Sequence, residues 1–108
     1  MGRASSPSDR ELVRALRALA DPTRFRMVQT IAAAGELTCG QVQERFDVSQ
    51  PTISHHLKIL TDTGVVVMRS QGKHHLISVD HGLLKSLVEL IPARLGPLGK
   101  QARKASAR

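Results

Sequence analysis

Cysteine is nearly missing from this sequence: Cys39 stands alone in 108 residues, which excludes an internal disulfide and fits a reducing compartment. Long apolar runs are missing too, and nothing approaches the roughly 20 residues that span a bilayer. Residues 1–9 are polar and lack the apolar stretch of a signal peptide, so a cytoplasmic protein with no membrane partner is expected. No glycine-rich phosphate loop is present, because Gly35, Gly40, Gly64 and Gly72 are isolated. No nucleophile–base–acid set stands out, and the chain is short for a conventional active-site cleft. An enzyme is therefore not expected.

Acids are scarce as well. Sixteen Lys and Arg face nine Asp and Glu, a formal charge of +7, which suits a polyanionic partner. Residues 100–108 hold Lys100, Arg103, Lys104 and Arg108 without an acid, so four of the seven charges lie in a tail and the rest of the chain is only mildly basic. Charge supports nucleic-acid binding without establishing it. The length allows one domain with a modest core. The expected organisation is a flexible N-terminus over 1–7, a folded unit over 8–95 and a basic, disordered tail over 96–108.

Local signals then mark the elements. Ser8 followed by Glu11 forms a capping box, and Leu12, Val13, Leu16, Leu19 and Ala20 make a stripe at helical spacing. Asp21-Pro22 ends that helix and starts a second, with Asp21 as N-cap and Pro22 at the first helical position. The second helix carries Phe25, Met27, Val28, Ile31 and Ala32, and Gly35 closes it. Thr38 with Gln41 is another capping box, opening a short helix with Val42 and Phe46 inward. Ser49 caps a fourth helix that tolerates Pro51 in its first turn. Ile53, Leu57 and Leu60 share its buried face, and Gly64 ends it. Val65 to Met68 reads as a strand, Ser70 to Lys73 as a turn and His74 to Val79 as a second strand. Asp80 caps a last helix with Leu83, Leu84, Leu87, Val88 and Ile91, irregular past about Arg94 because of Pro92, Gly96, Pro97 and Gly99.

Two short helices joined by a tight turn and followed by a hairpin make a winged helix-turn-helix. The expected class is mainly α with a small β-hairpin (α+β), in the order ααααββα, with the wing at about 65–79. The second helix of such a unit enters the major groove of double-stranded DNA with its N-terminal residues at base edges. Gln50, Thr52, Ser54 and His55 face outward at that end. Gln bonds adenine bidentately, and Ser, Thr and His suit base edges or phosphates. Lys58, one turn on, suits a phosphate. Arg69, Gln71, Lys73 and His74 surround Gly72 at the wing tip and suit phosphates or a minor groove. His56 flanks the buried face and is expected to make a structural hydrogen bond.

Leu19-Ala20-Asp21-Pro22-Thr23-Arg24, followed by Val48-Ser49-Gln50-Pro51-Thr52-Ile53-Ser54-His55-His56-Leu57-Lys58-Ile59-Leu60, resembles the ArsR-type (arsenic-repressor-like) winged-helix family. The resemblance covers about Glu11 to Val88. It implies a homodimer paired through the first and last helices, binding a palindromic operator and repressing transcription. Leu12, Leu16 and Leu19 together with Leu84, Leu87, Val88 and Ile91 offer the apolar surface for that pairing.

Many such relatives sense metals, yet both usual sites lack ligands here. Thr38 and Gly40 occupy the two positions of the thiolate pair, with Cys39 between them, and a soft metal needs several thiolates. At the last-helix site Asp80 is present, while Gly82, Ala93 and Gly96 stand where the other ligands belong. No metal or cofactor is expected, and the effector is left open. Two further readings stay open on the residues. Cys39 near a helix N-terminus, with a lowered pKa, would make a redox-responsive repressor. A winged helix whose exposed face binds protein would make an interaction module.

Overall fold

Five helices begin where a short polar side chain accepts the backbone N–H three residues on. The donors and acceptors are Glu11 to Ser8 (3.1 Å), Arg24 to Asp21 (2.9 Å), Gln41 to Thr38 (3.1 Å), Thr52 to Ser49 (3.4 Å) and Leu83 to Asp80 (3.0 Å). In the Ser8 and Thr38 caps the third residue also accepts in return, completing both capping boxes. Each cap is worth about 1 kcal/mol, and all five stand where the sequence puts them.

The computed structural model describes residues 6–96. The elements are α1 (Asp9–Ala20), α2 (Pro22–Ala34), β1 (Leu37–Thr38), α3 (Cys39–Glu44), α4 (Gln50–Asp62), β2 (Val66–Gln71), β3 (His74–Val79) and α5 (His81–Leu95). The tail expected over 96–108 lies outside the described residues except for Gly96. At the other end, Pro7 is held: Arg94 reaches from α5 to its carbonyl (2.9 Å) and to the Asp9 carboxylate (2.6 Å).

The sheet has three strands in the order β1-β3-β2, one more than the hairpin expected. β1 is antiparallel to β3 with Leu37 opposite Ile77. Two residues carry no period of their own, so only the pairing reveals this strand. The hairpin is also longer than its sequence suggests. β2 and β3 pair from Val66–Val79 out to Gln71–His74, leaving only Gly72 and Lys73 in the turn. Gly72 has φ +61°, a sign that L side chains disfavour. One face of the sheet buries Leu37, Val66, Ile77 and Val79.

Those side chains join Met27, Ile31, Val42, Ile53, Leu57 and Leu60 in one core. Two apolar stripes fall differently from expectation. α1 buries Leu12, Ala15 and Ala18, three apart, while Val13 and Leu16 stay 45% and 41% exposed. The small alanines let α1 approach closely, turning the larger side chains outward. On α2, Met27, Val28 and Ile31 are buried, but Phe25 is 49% exposed and Ala32 is exposed. Phe25 lies two residues from Met27, about 200° around a helix of 3.6 residues per turn. α5 runs through Pro92 to Leu95, where Gly96 (φ +110°) ends it.

Candidate nucleic-acid interface

α3 and α4 are set at a fixed separation by the turn between them. Phe46 is buried in that turn, with the Arg26 guanidinium 5.4 Å from its ring centre. Gln43 donates across the turn to the Val48 carbonyl (3.4 Å). Ser49 then caps α4, and its hydroxyl also lies 3.0 Å from that of Thr52. With Ile53, Leu57 and Leu60 inward, Gln50, Thr52, Ser54 and His55 are all exposed over the first turns. The structure therefore brings these four together on one helix end. Gln50 and Ser54 are exposed neutral hydrogen-bonding groups, the chemistry that reads base edges.

Lys58 lies one turn beyond Ser54 and pairs with Asp62 at 3.0 Å. Both side chains are exposed, so the pair is worth little and yields readily to a stronger anion. A groove of about 670 Å³ runs along α3 and α4 with Met68 of β2 also on it; Cys39, Gln50, Ser54 and Lys58 are among its other lining residues.

The wing divides in two. Gln71 and His74 form the last rung of the ladder, with Gly72 and Lys73 at the tip, and all are exposed. Arg69 is not at the tip. It sits two rungs back opposite Leu76, and its guanidinium grips Glu36 bidentately at 3.0 and 3.1 Å. Glu36 was invisible as a site residue because 33 positions separate it from Arg69. The contact spans β3, since Glu36 immediately precedes β1 on the far side of that strand.

Behind α4, the expected structural hydrogen bond of His56 is present, with Arg24 as partner: Arg24 Nη1 to His56 Nδ1 at 3.3 Å. No local pattern points to a contact between residues 32 apart. Asp21 completes this corner. Its carboxyl is held below the ordinary carboxylate value, first by the hydrogen bond from the Arg24 N–H and further by the Arg24 charge, with burial, the second-largest effect, opposing them.

Cys39 does not have the lowered pKa on which a redox role would rest. Partial burial pushes its thiol up, outweighing its own backbone N–H at the start of α3. The positions of the usual metal sites are engaged structurally: the Thr38 hydroxyl caps α3 and the Asp80 carboxylate caps α5. Among the described residues, no three His, Cys, Asp or Glu side chains converge.

The apolar residues expected for pairing fall into two groups. Leu12 and Leu87 are buried within the single chain, with Leu19, Leu84 and Ile91 packed partly against the core. Leu16 and Val88 are exposed, the latter by 74%, as are Val13 and Leu95.

A family model for a helix-turn-helix domain matches residues 19–69, from the end of α1 to the start of the wing. The chain is 38% identical over 77 residues to the arsenical resistance operon repressor of Staphylococcus xylosus, covering 71% of this chain and 73% of that protein. An ArsR-like transcriptional regulator from Rhodococcus sp. RHA1 has the same fold, with a TM-score of 0.76 at 22% identity over 91% of this chain and 89% of that one. So does the homodimeric winged helix-turn-helix DNA-binding domain of a possible ArsR-family regulator from Mycobacterium bovis, with a TM-score of 0.64 at 20% identity over 80% and 85% of the two chains. A cap-defined helix pair, a wing and this degree of identity to a repressor converge on one conclusion: the chain belongs to the ArsR-type family of winged helix-turn-helix transcriptional regulators.

Proposed function

We propose that this protein is a sequence-specific DNA-binding repressor acting on a palindromic operator as a homodimer. The observation that carries the reading is the exposed start of α4. Gln50, Thr52, Ser54 and His55 project from one helix end whose opposite face is locked into the core. Gln50 and His55 read base edges, Thr52 and Ser54 bond bases or phosphates, and Lys58 leaves Asp62 for a phosphate. Gln71, Lys73 and His74 bring the wing to the backbone or minor groove, and Arg69 supports the wing from behind through Glu36.

Dimerisation follows from exposed apolar surface on the first and last helices. Leu16 and Val88 lead this contact, joined by Val13 and Leu95, while Leu12, Leu19, Leu84, Leu87 and Ile91 form the packed layer beneath. The Mycobacterium bovis domain of the same fold is homodimeric. Two-fold pairing places the reading helices about 34 Å apart, one turn of DNA. The folded unit is 8–95, and the protein works on DNA in the cytoplasm; no described helix is long and apolar enough to cross a membrane. The regulator operates without the family's usual metal sites, since Thr38, Gly40, Gly82, Ala93 and Gly96 stand where ligands belong.

Selection of bound duplexes from random DNA by the purified protein tests the reading. A palindromic consensus with half-sites one turn apart is expected, and binding should weaken steeply as salt rises. A chain that enriches no sequence and binds without salt dependence would be a protein-interaction module instead.

A further inference from the structure

Arg24 joins three helices through one planar group. Its backbone N–H donates to the Asp21 cap of α2. Its Nε donates to the Ala18 carbonyl at 2.8 Å, in the last turn of α1, where helix carbonyls have no partner within the helix. Its Nη1 lies 3.3 Å from His56 Nδ1 on α4. A guanidinium offers donors only, so this contact requires Nδ1 to be the acceptor, with the ring proton on Nε2.

The rest of the support for α4 is of a different kind. Ile53, Leu57 and Leu60 are apolar and buried, and hydrophobic contact is not directional. Such contact keeps α4 against the core but lacks the directionality of a hydrogen bond. Rotation by about 20° moves a side-chain tip at ~6 Å radius by about 2 Å. That shift exceeds what a hydrogen bond to a base edge tolerates. The fork of Arg24 is rigid, and two of its donors are tied to fixed points on α1 and α4. Its second contact falls on His56, the immediate neighbour of the reading residue His55.

We propose that Arg24 is a positioning residue for sequence reading: by tying His56 to the end of α1, it sets the rotation at which α4 presents Gln50, Thr52, Ser54 and His55 to DNA. This rests on the DNA-binding reading above. Discrimination between sequences then depends on Arg24 although Arg24 touches no base. Lysine cannot replace it, because a single ammonium lacks the fork that holds both acceptors.

The test uses the full chain with Arg24→Gln, Arg24→Lys, His56→Leu and His56→Asn. It compares affinity for the selected operator with affinity for a scrambled duplex, alongside helix content by circular dichroism. Asparagine places its Oδ1 where Nδ1 stands and keeps the acceptor. Arg24→Gln, Arg24→Lys and His56→Leu should lower the operator-to-scrambled ratio about tenfold, the scale of one lost base contact. Scrambled-duplex affinity should stay within about twofold, since phosphate contacts carry it, and His56→Asn should retain the native ratio. A folded Arg24→Gln protein with the native ratio would overturn the proposal. So would loss of discrimination in His56→Asn with Arg24→Gln unaffected, which would make His56 a base contact. If Arg24→Gln fails to fold, His56→Leu leaves the Ala18 contact intact and decides the same point. The ring 15N spectrum of His56 in the native protein decides the contact without DNA: a fixed Nε2–H tautomer is expected, and a mixture of tautomers would refute it. A native chain that selects no sequence would instead break the DNA-binding reading, a failure visible in the native arm alone.

Discussion

The start of α4 and the wing are both exposed, for different reasons. The helix end presents Gln50, Thr52, Ser54 and His55 on a backbone held by a cap, an apolar face and the Arg24–His56 bond. The wing presents Lys73 and His74 on a two-stranded ladder that is exposed along most of β2. One is mounted on the core and carries hydrogen-bonding groups; the other is held at its root and carries charge. Base reading needs fixed geometry and distinct donor and acceptor patterns, whereas phosphate attraction tolerates imprecise placement and needs charge. On the proposed reading, specificity lies in the helix and affinity in the wing.

Substitution at the helix end should break this division most severely. Gln50→Ala and His55→Ala should each cost roughly 1–3 kcal/mol of discrimination with the fold intact. Competition between operator and scrambled duplexes measures it, and retained discrimination would remove these residues from the reading set. Lys73→Ala should act in the opposite manner, weakening binding to every duplex alike and lowering the salt slope by about 1. An unchanged slope would mean that the tip does not meet phosphate.

The root of the wing gives a smaller effect. The Arg69–Glu36 pair is bidentate but largely exposed, so its stabilisation lies below about 1 kcal/mol. Arg69→Gln and Glu36→Gln should produce similar small losses of affinity for all duplexes, and the double variant should be no worse than either. If Glu36→Gln binds DNA more tightly, Arg69 is itself a phosphate ligand held back by Glu36. Smallest of all is an acid-limb effect behind α4. The Asp21 carboxyl is depressed from its ordinary value near 3.8, so its contribution to stability is complete above that value. It is lost as pH falls through the lower folded-state value. Thermal melts of Asp21→Asn, which keeps a capping oxygen, should show a weaker fall of Tm in that acid range than the native chain. Parallel curves would remove Asp21 from the acid response.

Much of the fold was legible because its signals are local. Ser8, Asp21, Thr38, Ser49 and Asp80 bond three residues along the chain, and the spacing of Ile53, Leu57 and Leu60 defines a buried face within one helix. The four outward residues of α4 follow from that face. The apolar stripe of α1 misled, since periodicity marks which residues are hydrophobic but not how near another helix comes. Ala15 and Ala18 took the close contact and left Leu16 outside. Arg69 misled for a related reason: proximity to the turn in sequence suggested the tip, while ladder register placed it two rungs back, across from Glu36.

By itself, then, the sequence determined where helices begin, which side of α4 faces out and what chemistry that side carries. These depend on interactions across three or four residues, whose geometry any helix supplies. Only the tertiary structure decided that Leu37 and Thr38 add a strand, that Glu36 steadies the wing and that Arg24 ties the end of α1 to His56. The β1–β3 pairing, the Glu36–Arg69 pair and the Arg24–His56 contact each join residues more than thirty positions apart. Their meeting depends on how whole elements pack, which no local pattern encodes.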